Sequence, residues 1–368
     1  MLKRVISLII KELLAVLRDP KSRIVLIVPP IIQIFVFSFA ATQEAKNLTL
    51  AVLNQDGGRA GVEVVQRFEN AGTFTRVITL QGRNEINATL DEQKAIAVLV
   101  VPQDFSRSIL SGDQAHVQFI LDGRKTNASQ IVRGYASRII EQYSLEIAAS
   151  QGRSLPAVLI VRDWFNENLT FMWYTVPSLV CIIATLIGLL LTSLSVSRER
   201  EMGTFEQLLV SPLGPLEILL GKAIPALFLA MIEASILLIV AMFIFRIPMQ
   251  GSLPVLYGAM AVFLLSLIGV GLFISSLSLT QQQAILGTFI FMTPAMLLSG
   301  FSTPIENMPH WLQTVTLANP LRWFLVIVRG VFLKDMPFAD VVSNTWPLLI
   351  IAAATLTAAA WLFRHRME

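Results

Sequence analysis

The sequence predicts an α-helical polytopic membrane protein with six transmembrane helices and an inserted extracytoplasmic α/β domain. Of its 368 residues, 54% are hydrophobic and only 14% are charged, whereas soluble domains carry roughly 25% charged residues. The mean hydropathy is +0.67. The second observation is that residues 42–168 have the composition of a soluble domain and separate the first apolar run from all the others.

Residues 1–23 are predicted to form an amphipathic helix before the first span. Apolar side chains recur at helical spacing, and the other face is basic. The basic residues are Lys3, Arg4, Lys11, Arg18, Lys21 and Arg23. Such a helix lies in the membrane interface, and its charge places the N-terminus in the cytoplasm. A signal peptide is the alternative, but this segment is too long and too helical for one.

Six apolar runs are long enough to be considered as membrane spans. They cover residues 24–41, 169–195, 223–245, 255–277, 284–298 and 346–363. Pro29 and Pro30 predict a kink or a late helix start in the first run. With six spans, both termini and a charged stretch at 198–222 fall on the cytoplasmic side.

The soluble-like stretch is predicted to alternate strands with helices, which is typical of an α/β domain. The strands are expected at 48–53, 73–80, 95–101 and 116–121, and the helices at 62–70, 85–94, 103–110 and 126–150. Its Asp-Gly pairs read as turns, and no phosphate-binding loop pattern occurs. One cysteine and three separated histidines predict neither a disulfide framework nor a metal site. A net charge of +3 gives no reason to expect nucleic-acid binding.

The stretch at 198–222 is a charged island between two apolar runs. Each of its charges costs a few kcal/mol at a bilayer centre, so the island must lie in water or against protein. Met202, Phe205 and Leu209 recur at helical spacing, which predicts a helix over 198–211. An interfacial loop-helix and a helix that docks onto a soluble partner are both compatible with this spacing.

Two further features stand out in the apolar half. Glu233 lies in the middle of the third predicted span, and an intramembrane carboxylate is a candidate functional residue. The alternative is a neutral or hydrogen-bonded structural carboxyl. Residues 299–334 combine Gly and Pro breaks with short apolar pieces, which predicts external re-entrant helices. The alternative is that this stretch and the last apolar run form a sixth and a seventh span, but seven spans would move the basic C-terminus outside.

Several motifs together resemble one family. Besides the charged stretch at 198–212, the resemblance rests on Ala51-Val52-Leu53-Asn54-Gln55-Asp56, Val101-Pro102-Gln103-Asp104-Phe105 and Asn319-Pro320-Leu321-Arg322-Trp323. The chain resembles the membrane permease subunit of ABC transporters of the type-2 exporter family, of the bacterial multidrug type with a large external domain. Asn54 departs from the Val-Asp-x-Asp pattern of that family.

The resemblance implies a set of partners and a location. A cytoplasmic ABC ATPase subunit would bind ATP and Mg²⁺, and this chain would bind no cofactor itself. A second permease copy or a paralogue would complete a dimer, and a periplasmic adaptor protein is a further implied partner. The complex would lie in the lipid bilayer of the bacterial inner membrane.

The resemblance also implies roles for individual residues. Residues 1–23 would be the connecting helix. Contact with the ATPase would be made by Arg198, Glu199, Arg200, Glu201, Gly203, Thr204, Phe205, Glu206, Gln207, Leu208 and Leu209. An external gate would involve Phe301, Pro304, Asn319, Pro320 and Arg322. Apart from the resemblance, the position of Glu233 within a predicted span leads us to expect that it faces the translocation path. No residue is expected to be catalytic.

The expected function is therefore outward movement of an amphiphilic substrate, such as a drug or a lipid-like molecule. The chain has no Walker A lysine loop, so the energy would come from a separate ATPase. Two alternatives remain open from the sequence. One is a proton-coupled secondary transporter that uses Glu233, and the other is a non-transporting envelope protein that binds a partner.

Overall fold

The computed structural model describes residues 2–18, 20–40, 48–122, 124, 126–150, 170–205 and 213–365. Contacts divide the chain into two compact units. The helical unit comprises Met1–Ala41 and Asp163–Glu368, and the α/β unit comprises Thr42–Arg162.

The helices and strands are numbered in chain order. The helices are α1 Leu2–Arg18, α2 Pro20–Ala40, α3 Arg59–Asn70, α4 Asn84–Asp91, α5 Phe105–Ser111, α6 Thr126–Ser150, α7 Phe171–Glu201, α8 Pro215–Ile239, α9 Leu253–Leu277, α10 Gln281–Leu297, α11 His310–Val315, α12 Pro320–Lys334 and α13 Phe338–His365. The strands are β1 Leu48–Asn54, β2 Phe74–Thr79, β3 Ala97–Val101 and β4 Gln118–Leu121. A π-helical turn, Val240–Ile244, continues α8.

The α/β unit is built on one mixed sheet with the strand order β2-β1-β3-β4. The first three strands are parallel, and β4 pairs antiparallel to β3. Successive side chains of a strand point to opposite faces. Accordingly, Leu50 and Val52 join one apolar cluster, while Ala51 and Leu53 join another on the opposite face. Because helices cover both faces, the central strands are apolar throughout instead of alternating.

The Asp56 carboxylate links the first turns of helices α3 and α5. It follows β1, and its Oδ2 accepts hydrogen bonds from the Gly61 backbone N–H (3.1 Å) and the Ser106 hydroxyl (2.5 Å). The Ser106 backbone N–H donates to Asp56 Oδ1 (3.3 Å). Gly61 lies in the first turn of α3, and Ser106 in the first turn of α5. The carboxylate therefore satisfies N–H groups that both helix starts would otherwise leave unpaired.

The helical unit is centred on α9. Its buried Phe263 stacks on Phe324 of α12 with ring centroids 4.2 Å apart. A Cβ at Gly269 would lie 2.2 Å from the Thr355 hydroxyl on α13. Helices α9 and α13 can therefore pack this closely only because position 269 has no side chain.

By length and composition, four helices in the described part of the chain can cross a membrane, namely α7, α8 with its π turn, α9 and α13. Another candidate is a bent pair, His310–Ala318 and Pro320–Lys334, which meets at 83°. The apolar part of α2, Ile27–Phe39, and the 17 residues of α10 are shorter. The membrane-embedded helical character is thus established, whereas the count of six spans stays a prediction.

Three predicted boundaries at the helical unit are wrong. The amphipathic helix ends at Arg18, so residues 20–23 belong to α2. That helix begins at Pro20 and continues through Pro29 and Pro30, so the expected late start does not occur. Proline is well tolerated in the first helical position, which explains the start at Pro20.

The third predicted span begins eight residues before its expected start. Helix α8 starts at Pro215 after the N-cap Gly214, and the Glu217 carboxylate accepts a hydrogen bond from the Gly214 N–H (2.9 Å). This capping arrangement, with proline in the first turn, is a strong helix start. Lys222 therefore lies inside the helix and not at the edge of a loop.

The Asp56 contacts predict a local stability effect. Replacing Asp56 with Ala leaves donors of α3 and α5 unsatisfied, which costs about 1–3 kcal/mol. We expect backbone hydrogen exchange at 59–62 and 105–107 to accelerate by about tenfold or more, since 1.4 kcal/mol is tenfold. Mass-spectrometric exchange on the full chain measures this. Asp113→Ala, at an exposed position after α5, is the control, and equal exchange in the two variants would contradict the capping role.

Candidate functional site

The end of α7 carries the residues that the sequence singles out. Helix α7 is a single helix of 31 residues that ends at Glu201. Gly203 has a φ of 70°, and the Thr204 N–H donates to the Glu199 carbonyl (2.9 Å) while the Gly203 N–H donates to the Arg200 carbonyl (3.1 Å). This pairing is the Schellman helix stop, for which glycine is suited because it adopts a positive φ without steric cost.

The helix predicted over 198–211 therefore does not begin at Arg198. Residues 198–201 continue the membrane helix α7, and the chain turns at Met202–Thr204 before a new helical residue at Phe205. The prediction missed the stop because the apolar spacing continues across Gly203. Four predicted contact residues, Glu206, Gln207, Leu208 and Leu209, lie outside the described residues.

A cluster of four charged residues lies beside this helix end, and we call it the charged junction. It consists of Lys11 and Glu12 on α1, Glu199 on α7 and Lys222 on α8. Lys222 has a side chain that is only 1% exposed, and its Nζ lies 2.7 Å from Glu199 Oε2 and 3.4 Å from Glu12 Oε1. Lys11 Nζ lies 3.3 Å from Glu199 Oε1. Two carboxylates and two ammonium groups thus neutralise one another.

The junction joins three helices that are far apart in sequence. Lys222 also lies within hydrogen-bond distance of the Ser195 carbonyl (3.4 Å) and hydroxyl (3.3 Å), one turn before Glu199. Because Lys222 is buried, the loss of one partner would leave an uncompensated charge, which costs about 3–5 kcal/mol. The arrangement therefore holds α1, α7 and α8 at one mutual position.

Arg200 and Glu201, at the end of α7, contact the helices that follow in the chain. The Arg200 guanidinium donates to the Ser276 carbonyl (2.9 Å) and the Ser278 carbonyl (3.2 Å), at the C-terminal end of α9. Glu201 Oε2 accepts the backbone N–H of Gln281 (2.8 Å), the first residue of α10. A cation at a helix C-terminus and an anion at a helix N-terminus both agree with the helix dipole.

Phe205 packs against the end of α13 at this end of the helical unit. Its ring lies 5.9 Å from the Phe363 ring of α13 in an edge-to-face arrangement, and the Arg200 guanidinium lies 4.8 Å above it. Phe205 and Phe363 share an apolar cluster with Val196 and Ile218. The ends of α7, α8, α9, α10 and α13 therefore meet around residues 198–205, while the middle of α1 contacts them through Lys11 and Glu12. Arg198 itself is exposed.

Glu233 lies on α8, away from the ion pairs just described. Its side chain is buried, at 5% exposure. Neither carboxylate oxygen has a hydrogen-bond partner among the described residues. The structural alternative of a hydrogen-bonded carboxyl is therefore not seen here, and the functional role in the translocation path stays a prediction.

The residues predicted to form an external gate lie at the opposite end of α7. Asn319 caps α12, where its Oδ1 accepts the Leu321 N–H (3.1 Å), and its Nδ2 donates to the Ala295 carbonyl of α10 (2.7 Å). The Phe301 carbonyl accepts a hydrogen bond from the Tyr174 hydroxyl (3.4 Å). The Asn319 contact attaches the bent pair to α10. The Phe301 contact attaches the segment between α10 and the bent pair to α7.

The remaining gate candidates have local roles. Arg322 donates to the Gln313 carbonyl (3.0 Å) and to the Thr316 hydroxyl, and thereby bridges the 83° bend between α11 and α12. Pro320 is buried at the start of α12, and Pro304 precedes a single 3₁₀ turn. No described contact tests a gating function for these residues.

Sequence reasoning missed several charged residues of the helical unit. The sequence prediction places Lys222 at the end of the charged island and Lys11 on the basic face of an interfacial helix, and it assigns no role to Glu12. A capping pattern at Gly214-Pro215-Leu216-Glu217 could have shown that Lys222 is inside a helix. Nothing in the sequence could pair Lys222 with α1, because that pairing depends on packing.

Comparison with known proteins agrees with this architecture. Residues 21–361 match the model of the family described as ABC-2 family transporter protein. The probable multidrug ABC transporter permease YbhR of Escherichia coli K12 is 46% identical over 367 residues, which cover the whole of both chains.

Two further relatives extend the comparison. The probable multidrug ABC transporter permease YbhS of Escherichia coli K12 is 31% identical over 99% of this chain and 97% of its own length. The ABC transporter G family member 20 of Dictyostelium discoideum is 23% identical over 89% of this chain and 47% of its own length. The family match covers most of the chain, and the YbhR match covers all of it. The chain therefore belongs to the ABC-2 family of transporter proteins and is a membrane permease of the ABC transporter class.

Proposed function

We propose that the chain is the permease subunit of an ATP-driven exporter in the bacterial inner membrane. A separate cytoplasmic ABC ATPase would bind ATP and Mg²⁺, and the substrate would be an amphiphile such as a drug or a lipid-like molecule. The observation that carries this proposal is the meeting of five helix ends and the middle of α1 around residues 198–205. A soluble partner that pushes there would act on most of the helical unit at once.

The distribution of basic residues supports a cytoplasmic location for the charged junction. Arg198, Arg200 and Arg364 lie on helix ends that meet at the junction end of the helical unit, and Lys11 of α1 contacts the same end. Basic residues favour the cytoplasmic side of a membrane. Both chain termini would then be cytoplasmic, and the domain at 42–168 would be periplasmic.

Six spans are compatible with the helix lengths. Helix α2 has 21 residues and α10 has 17, which correspond to about 32 Å and about 26 Å at 1.5 Å per residue. The hydrocarbon core is about 30 Å thick. With α2 and α10 added to the four longer helices, six spans return the chain to the cytoplasm, while the bent pair would remain external.

The proposed mechanism relies on the rigidity of α7. This helix extends about 47 Å without a break at 1.5 Å per residue, from the external side to the proposed contact with the ATPase. ATP-driven closure of the ATPase pair would move residues 198–205. The Glu199–Lys222 ion pair would make α8 follow, the Glu12–Lys222 pair would make α1 follow, and rigid-body rocking would open the path outward, as in alternating access.

The proposed assembly contains further partners. Two permease chains, either copies or paralogues, would form the dimer in the lipid bilayer. A periplasmic adaptor protein would contact the domain at 42–168. The many apolar and few polar side chains of the predicted spans support an amphiphilic substrate.

A second candidate function is proton-coupled secondary transport through Glu233. A buried carboxylate without a partner in the described chain favours it, because such a group can take up and release a proton. In an exporter driven by ATP, the same carboxylate would contact the substrate instead. The two functions differ in their energy source, so they are separated by whether transport follows ATP or a pH gradient.

The charged junction predicts a non-additive pair of substitutions. Lys222→Met leaves Glu199 and Glu12 without their shared counter-charge, and we expect a loss of about 3–5 kcal/mol of stability. Adding Glu199→Gln removes part of that repulsion, so the double variant should be more stable than Lys222→Met alone. Thermal unfolding in detergent and ATPase stimulation by the reconstituted complex measure the effect. Lys334→Met, at the exposed end of α12, is the control, and additive effects would argue against the junction.

Charge reversal at the proposed ATPase contact predicts uncoupling. Glu201→Lys combined with Glu206→Lys should abolish the stimulation of ATPase activity by the permease, because both charges lie on the segment that would receive the push. Glu306→Lys, at an exposed position on the external segment, is the control for charge reversal away from the proposed contact. If the Glu201 and Glu206 variant is stimulated normally, residues 198–209 have no coupling role.

The role of Glu233 is tested in vesicles. We expect Glu233→Gln to lower transport severalfold and to remove its pH dependence, because an amide cannot exchange a proton. Transport driven by ATP and transport driven by an imposed pH gradient are measured separately. Unchanged transport with an unchanged pH profile would remove Glu233 from the path under either function.

A further inference from the structure

Arg329 is a charged residue in an otherwise apolar part of α12. Its neighbours Ile327, Val328 and Val331 are fully buried. Its Nε donates to the Ser178 hydroxyl of α7 (2.8 Å), and its guanidinium carbon lies 3.9 Å from the centre of the Tyr174 ring. Stacking of this kind fixes the plane of a guanidinium group while leaving its remaining N–H donors available.

The Nη2 atom of this guanidinium group has no hydrogen-bond acceptor among the described residues. Arg329 Nη2 is buried and has no hydrogen-bond partner in the described chain. The Thr175 hydroxyl, which follows Tyr174 on α7, is 2% exposed and also lacks a partner there. Unsatisfied buried donors are costly and uncommon in folded proteins. Two such groups on the same stretch of α7 and its neighbour α12 indicate a missing acceptor.

The missing acceptor is expected to be anionic. The Arg329 side chain is partly buried, with its Nη2 enclosed. A guanidinium group withdrawn from water is normally paired with a carboxylate or a phosphate, yet none of the described carboxylates forms an ion pair with Arg329. Glu233 does not supply it, since neither of its buried oxygens has a donor among the described residues. The counter-charge must therefore come from outside the described part of the chain.

The position on the molecule limits what that anion can be attached to. Tyr174 and Ser178 lie in the first turns of α7, whereas the charged junction lies at the other end of the same helix. Arg329 is thus at the end proposed to be external, and the residues that flank its contacts along α7 and α12 include the buried apolar Val176, Leu179 and Val328. A binding site with one charged group in apolar surroundings suits a ligand with an anionic head and a hydrocarbon tail.

We propose that Arg329 binds the anionic headgroup, such as a phosphate, of an amphiphile at the external end of the helical unit. The Thr175 hydroxyl is a second donor, and Tyr174 and Ser178 are positioning residues for the guanidinium group. This inference rests on the proposed export function and narrows its substrate class to anionic amphiphiles. An exported molecule and a resident membrane phospholipid share this headgroup chemistry.

Binding is tested first without any ATPase. Native mass spectrometry of the full chain in a neutral detergent compares dioleoyl phosphatidic acid with dioleoyl phosphatidylcholine and with inorganic phosphate. We expect phosphatidic acid to be retained, and Arg329→Gln to lower its retention at least fivefold. Arg246→Gln, which removes another exposed charge of the proposed external side, should retain it as the wild type does. Arg329→Lys should be intermediate, because an ammonium lacks the planar fork.

Several outcomes would overturn the site. Equal retention of phosphatidic acid in Arg329→Gln and the wild type contradicts it, as does equal retention of phosphatidylcholine by the wild type. Retention of inorganic phosphate as strong as that of the lipid contradicts an amphiphile. If Arg329→Gln instead changes the number of chains per particle, the counter-charge comes from a second copy. Should Arg329→Gln not fold, Arg329→Lys takes its place, and retention equal to that of the wild type in this variant contradicts recognition by the guanidinium group.

The source of the ligand is tested separately in the complex with the ATPase. A short-chain phosphatidic acid should stimulate ATP hydrolysis if it is a substrate, and Arg329→Gln should abolish that stimulation. Arg329-dependent binding without stimulation contradicts the substrate assignment and identifies a structural lipid. Absence of any ATPase association would contradict the proposed export function while leaving the binding result intact.

Discussion

The buried ammonium of Lys222 constrains the arrangement of the helical unit. An ammonium with 1% exposure is tolerated only if counter-charges lie against it. Two helices supply them, Glu12 from α1 and Glu199 from α7. The interfacial helix is thereby attached to the membrane helices by charge and not only by its apolar face. A permease that receives a mechanical input at the end of α7 needs such an attachment, because apolar contacts alone would allow the helices to slide.

The charged groups at the two ends of the helical unit differ in how completely they are paired. At the junction end, the charges of Lys11, Glu12, Glu199 and Lys222 are mutually compensated, and Arg200 and Glu201 are bound to neighbouring helix ends. At the opposite end, the described chain leaves one edge of Arg329 unsatisfied. A compensated network suits a rigid connection, whereas an unsatisfied donor suits a site that is completed by another molecule. This contrast agrees with the proposals that the ATPase acts on the junction end and that a ligand binds at the opposite end.

The α/β unit presents a different use of a carboxylate. Asp56 lies outside the carboxyl ends of parallel strands, where many α/β sheets bind anions at a helix N-terminus. Here the chain places its own carboxylate against those N–H groups. The site is therefore already filled, and the open cleft beside it, lined by Gly57, Gln103 and Arg107, is not an anion site of that kind.

Composition and periodicity determined much of this protein without tertiary information. The apolar runs, the alternation of strands and helices, and the Arg198–Glu201 charges were all readable, because each depends on residues close in sequence. Helix ends set by capping, as at Gly203 and Pro215, were readable in principle but were obscured by apolar spacing that continued past them. Pairing was decided only by the tertiary structure. Lys222 with Glu12, and Arg329 with Ser178, are separated by 210 and 151 positions, and only helix packing determines which distant charges meet and which are left without a partner.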